Sequence, residues 1–170
     1  TINIAGIPIN EQEERNAIYS GPFVTLAKEE FSNSQNANTL KWSSYIRGSA
    51  LRQDFLKSAL DWVSKGNADD YMAKHRYTKN INELKKNFNN VLNWVTSIFT
   101  DVEDEMQGVN WGKLYETYRN NNYNSSSVRK KVKELFTDPY VEDKRGVFEF
   151  ILGGLKDTKL LQVRLFDEAT

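Results

Sequence analysis

Apolar residues recur at helical spacing along most of the chain. The longest such run lies between Asn80 and Gly108, with Ile81, Leu84, Phe88, Val91, Leu92, Val95, Ile98, Phe99, Val102 and Met106 on one face. Spacings of three and four residues held over this length predict an amphipathic helix at about 80–107, roughly 40 Å long. Asn80 is placed as its N-cap with Glu83 completing a capping box, and Gly108 follows the last apolar position. The stripe needs partners along its whole length, so this helix organises the rest of the chain.

Shorter elements surround it. Ile2 and Ile4, followed by Gly6 and Pro8, read as an extended piece with a turn. Asn10 with Glu13 marks a capped helix, although Glu14 stands where a hydrophobic staple from Ile9 would need an apolar partner. Gly21-Pro22 separates this helix from one carrying Phe23, Leu26, Ala27 and Phe31. A polar loop over 32–39 leads to a short turn with Trp42, Tyr45 and Ile46. Ser49 is read as the cap of a helix bearing Leu51, Phe55, Leu56, Ala59, Leu60, Trp62 and Val63. Further helices are expected over 68–74, around Trp111–Tyr118, around Val128–Phe136 and around Val147–Leu152. Residues from Leu160 to Phe166 read as a strand or an extended tail. The expected fold is all-α: an irregular multi-helix bundle around one long helix, with a short extended segment at each end.

Composition narrows the picture without adding chemistry. At 170 residues the chain is simplest as one helical domain over 1–170 with a real core. Lys and Arg together number 23, equal to Asp and Glu, so no net charge draws the chain to nucleic acid or membrane, though a neutral total can hide a basic face. The absence of cysteine excludes disulfides and thiolate metal sites and suits a cytoplasmic setting. No apolar run reaches the ~18 residues of a membrane span. The chain opens on Thr1 rather than Met, from which a fragment of a longer protein is expected.

Candidate chemistry is sparse. The single histidine, His75, has no second imidazole or well-spaced carboxylate, so a surface or capping role is its reading and no metal site is assigned. No Ser-His-Asp set, H-E-x-x-H or phosphate loop occurs, and no catalytic residue is assigned. Asp101, Glu103, Asp104 and Glu105 crowd the end of the long helix and read as a solvated face. Arg129, Lys130, Lys131 and Lys133 form a basic face, with Lys144 and Arg145 beyond it, and Arg47 and Arg52 make a smaller pair near Trp42 and Tyr45. Such faces neutralise phosphates where they are continuous, which makes these eight residues the candidate contacts to double-stranded DNA. The bland reading of the same residues is a charged helix surface. Asn3, Gly6, Arg15 and Asn16 form a compact polar set at the start, which local physics reads as a turn followed by a cap.

The opening Thr1-Ile2-Asn3-Ile4-Ala5-Gly6-Ile7-Pro8-Ile9-Asn10, continued by Glu13-Glu14-Arg15-Asn16-Ala17-Ile18-Tyr19, resembles the I-N-x-x-G-x-x-L-x-x-x-E-L-R-N-A segment of GmrSD-type proteins. Arg52–Phe55, Ala59–Trp62, Asp70–Met72, Gly108–Gly112, Gly146–Leu152 and Val163–Phe166 extend the likeness in order through the chain. Proteins of that family carry an N-terminal ParB-like domain with a D-G-Q-Q-R motif, and many end in an HNH nuclease. Neither is found in this sequence, and Glu14 departs from the family's apolar residue. The resemblance implies the helical middle of a protein that restricts foreign or modified DNA. Asn3, Gly6, Arg15 and Asn16 would line a pocket beside the missing motif. The flanking domains would be its partners, and nucleotide and divalent metal would belong to the parent protein rather than to this stretch. The rival reading is a protein-interaction module with no DNA role.

Overall fold

The computed structural model describes residues 3–4 and 7–164. Apart from a two-rung antiparallel ladder between β1 (Asn3–Ile4) and β2 (Ile7–Pro8), in which Asn3 faces Pro8 and Ile4 faces Ile7, the described residues form an all-helical fold. The chain divides into two compact units, Thr1–Asn90 and Val91–Thr170, and the division falls within helix α6.

In the first unit α1 (Glu11–Ile18) begins as expected. The Asn10 side chain accepts the Glu13 N–H at 2.9 Å while the Glu13 carboxylate receives the Asn10 N–H, closing the capping box. Pro22 opens α2 (Pro22–Phe31), where its missing N–H costs nothing. Then follow α3 (Thr39–Ser43), α4 (Asp54–Ser64), α5 (Ala68–His75) and the first part of α6 (Asn82–Ile98). The apolar faces of α2, α3 and α4 converge on Phe88 of α6. Its ring lies 5.0 Å from Phe31, 5.2 Å from Trp42 and 5.2 Å from Trp62, the last nearly parallel. Aromatic contacts of this kind add to the area that each ring buries.

The second unit repeats this logic around Phe148. It holds the remainder of α6, a 3₁₀ turn (Asp104–Met106), α7 (Trp111–Tyr118), α8 (Ser125–Thr137), α9 (Gly146–Leu152) and a second 3₁₀ turn (Thr158–Leu161). Phe99, Trp111 and Phe136 stand 5.3, 5.5 and 5.9 Å from the Phe148 ring. The indole N–H of Trp111 donates to the Met106 carbonyl, so its one polar atom is satisfied inside the core. No helix among the described residues is long and apolar enough to cross a membrane.

Three local expectations change. The long helix is shorter than 80–107, ending at Ile98. The Thr96 and Ser97 hydroxyls bond back to the carbonyls of Asn93 and Trp94, offering the backbone an alternative to continued helix. Continuation would also load Asp101, Glu103, Asp104 and Glu105 onto the negative end of the helix dipole. Instead Asp104 and Glu105 fall in the first turn of a new 3₁₀ segment, where acids are favoured. At its start the helix begins at Asn82, so Asn80 stands one residue before the position flanking it, and its side chain accepts the Asn82 N–H at 3.1 Å.

Ser49 does not cap α4. Its hydroxyl accepts the Arg52 N–H, but the chain then turns through Gln53 at φ 67° before the helix begins at Asp54. Leu51 is thereby left 79% exposed. At the far end Leu160 and Leu161 belong to the 3₁₀ turn rather than a strand. Leu165 and Phe166 lie outside the described residues.

Candidate functional site

Helix α1 buries its polar side. Gln12, Arg15 and Asn16 are buried, while Ile18 on the same helix is 63% exposed. Buried polar groups are tolerable only when paired, and here the pairing is continuous. The Gln12 amide nitrogen donates to Asn16 Oδ1 at 2.8 Å, and its carbonyl accepts from Arg15 at 2.5 Å. Arg15 Nε reaches Asp69 on α5 at 2.8 Å, and another guanidinium nitrogen reaches Glu11 at 3.1 Å. At the other end the Asn16 amide donates to Gln53 Oε1 at 3.3 Å, which also receives the Ser32 hydroxyl at 2.5 Å. The result is a relay Asp69–Arg15–Gln12–Asn16–Gln53–Ser32 tying α1 to α5, to the turn before α4 and to the end of α2.

The Arg15 end of the relay opens on a cleft of about 580 Å³. Its charged walls are Glu11, Asp61, Asp69 and Asp70 against Arg15 and Lys57, and Lys57 Nζ stands 3.4 Å from Glu11. Arg15 and Asn16, expected to line a pocket beside the missing motif, belong to one network, with Arg15 at the cleft and Asn16 away from it. Asn3 enters β1 through its backbone pairing with Pro8, and Gly6 lies outside the described residues. Gln12 and Gln53 were not singled out by the sequence. A glutamine on a short charged helix carries no outward sign of burial.

His75 closes α5 with its ring 4.2 Å from Tyr71 and 5.8 Å from Phe23, and its Nε2 lies 3.9 Å from Glu83. The Tyr71 hydroxyl donates to the same carboxylate at 2.9 Å. Burial first, then that bond and the nearby Glu83 charge, hold the Tyr71 phenol well above its ordinary range. Among the described residues no three His, Asp or Glu side chains gather as metal ligands.

In the second unit the two charged clusters meet. Arg129 on α8 pairs with Asp101 at 2.8 Å, and Lys133 is close enough to Glu103 to favour its ionised form. The opposing effects win at Glu103. Burial, with repulsion from Glu105, Asp101 and Asp104, lifts its carboxyl above the usual range. Lys131 pairs with Glu134 at 3.1 Å. Lys144 turns inward, its ammonium donating to the carbonyls of Leu135 and Asp138 at 3.0 and 2.9 Å, where it satisfies the C-terminal end of α8. Lys130 and Arg145 remain exposed here, as do Arg47 and Arg52 in the first unit. The eight basic candidates are therefore not equivalent, because three of them hold the fold's own acceptors.

Comparison with models of protein families, with curated proteins and with solved structures finds no match to this chain, so the likeness to GmrSD-type proteins rests on its motifs alone.

Proposed function

We propose that this chain is a helical connector and regulatory domain of a GmrSD-like restriction protein, packing against a nucleotide-dependent ParB-like part and a nuclease domain. The observation that carries the reading is the inverted α1, with Gln12, Arg15 and Asn16 inward and Ile18 outward. A helix with a polar inner face and an apolar outer residue suits a position covered from outside by another domain. The relay from Arg15 would pass a displacement of that helix to α2, α4 and α5. In this reading nucleotide and divalent metal act in the parent's other domains, and this stretch performs no catalysis.

A protein-interaction role without DNA is the second reading, and one observation favours it. Asp101 and Glu103 partly neutralise the face that Arg129 and Lys133 would present to phosphate. Binding of the purified chain to duplex DNA across a salt series separates the two. A steep loss of affinity with rising salt means that phosphates are being neutralised and that the remaining cations form a DNA arm. No binding at low salt removes the DNA contact and leaves the connector role. Nuclease or nucleoside-triphosphatase activity in this chain alone would overturn the connector reading itself.

A further inference from the structure

The second unit holds a cleft of about 440 Å³ between α7, the start of α9 and the 3₁₀ turn at 158–161. Three cations on three different elements line it: Lys113 from α7, Arg145 at the N-terminal boundary of α9, and Lys159 from the turn. All three are exposed, and none pairs with a carboxylate among the described residues. This sets them apart from Arg129, Lys131 and Lys144, whose charges the fold already uses.

The cleft also contains two acids. Asp143 is committed, since its Oδ1 accepts the N–H groups of Arg145 and Gly146 at 3.0 and 3.1 Å. Glu149 is half-buried on α9, which leaves the charged lining at three cations to two acids. Val109, Leu114 and Leu160 supply an apolar floor beside the charges.

The walls are fixed before anything binds. Trp111 on α7 packs against Phe148 on α9. A Cβ on Gly146 would fall 1.7 Å from the Leu160 carbonyl oxygen, so α9 and the turn meet backbone to backbone. The N–H groups of Glu142 and Asp143 both donate to the Leu161 carbonyl, at 3.2 and 3.0 Å. The backbone positions that carry the three cations are thus set in advance, and an anion has only their exposed side chains left to order.

We propose that this cleft binds a small phosphate monoester, with the dianion between Lys113, Arg145 and Lys159 and the ester group over Val109, Leu114 and Leu160. Arg145 suits the planar, two-point contact to phosphate oxygens, and the two lysines act as point charges. The volume fits a small molecule and is too short for a tract of duplex.

The test is a titration of the ¹⁵N-labelled chain with inorganic phosphate, phenyl phosphate and a short duplex DNA, read residue by residue by NMR. Phenyl phosphate is expected to shift resonances around Lys113, Arg145 and Lys159 and to bind more tightly than inorganic phosphate. Lys113→Gln, Arg145→Gln and Lys159→Gln, all at exposed positions, should each weaken it about tenfold while the remaining spectrum stays folded. Equal binding by the triple variant overturns the proposal, as does an absence of local shifts with either small phosphate. Shifts at these residues caused by duplex alone would also overturn it, assigning the cations to a nucleic-acid backbone.

Discussion

Arg129 Nε stands 2.8 Å from Asp101 Oδ2, joining α8 to the turn that follows α6 across 28 positions of sequence. The basic and acidic clusters look like two independent surfaces in the sequence. In the fold each is partly the other's counter-charge. A face read as an electrostatic arm is thereby reduced to its unpaired members.

This pair is half exposed on both sides, with 53% of the arginine and 38% of the aspartate side chain open to water. Solvent screening should hold its contribution to stability below about 1 kcal/mol. A double-mutant cycle with Arg129→Ala and Asp101→Ala, followed by chemical denaturation, measures it. A coupling of several kcal/mol would mean that the pair is far more desolvated than its exposure indicates.

Arg15 is the opposite case. Its side chain is only 9% exposed and serves Asp69, Gln12 and Glu11 at once. Arg15→Ala strands the Gln12 carbonyl in the interior and should destabilise the first unit by about 2–4 kcal/mol. Arg15→Lys should recover only part of this, because an ammonium cannot reproduce the directed fork of a guanidinium. Denaturant midpoints of the two variants against the parent chain give the comparison. Equal stability of Arg15→Ala and the parent would remove the relay as a structural element.

Local chemistry explains what the sequence made legible. The Asn10–Glu13 box and the Pro22 start are satisfied within a few residues of themselves, so their types and spacing announce them. The end of α6 was hidden because Met106 continues the apolar stripe and is indeed fully buried, yet from a separate turn. Val102, on the same expected stripe, is 59% exposed. The Thr96 and Ser97 hydroxyls and the electrostatics of acids at a helix end oppose the periodicity there. Arg15 could be singled out by motif, but its partner Asp69 lies 54 residues away and Gln12 carries no signal of burial. Long-range pairings of this kind are fixed by packing, and no local pattern encodes them.

Gly146 sets two effects against each other. Alanine favours a helix over glycine by about 1 kcal/mol, which would recommend Gly146→Ala. The added methyl would meet the Leu160 carbonyl oxygen at 1.7 Å, and that atom is backbone, with no side-chain rotation to relieve it. The contact should win, with a net loss of about 1–3 kcal/mol. A lowered thermal midpoint is expected. A raised one would show that α9 and the turn at 158–161 separate easily, and the cleft between them would lose its fixed walls.

Glu103 gives a prediction with a sign. Burial and three neighbouring acids lift its carboxyl above the ordinary carboxylate range, so the folded chain holds this proton more tightly than the unfolded chain does. Below the ordinary carboxylate pKa both states are protonated and the group is neutral for stability. As pH rises through that range the unfolded state releases its proton first, and stability falls until the folded carboxyl has also ionised. Above that the penalty is constant. Glu103→Gln removes the ionisation while keeping the size, so it should raise the thermal midpoint at neutral pH and make no difference at about pH 4. Melting curves of both chains over that interval are the measurement. A variant less stable than the parent at neutral pH would mean that the attraction of Lys133 outweighs burial and the three acids, reversing the balance assigned to this turn.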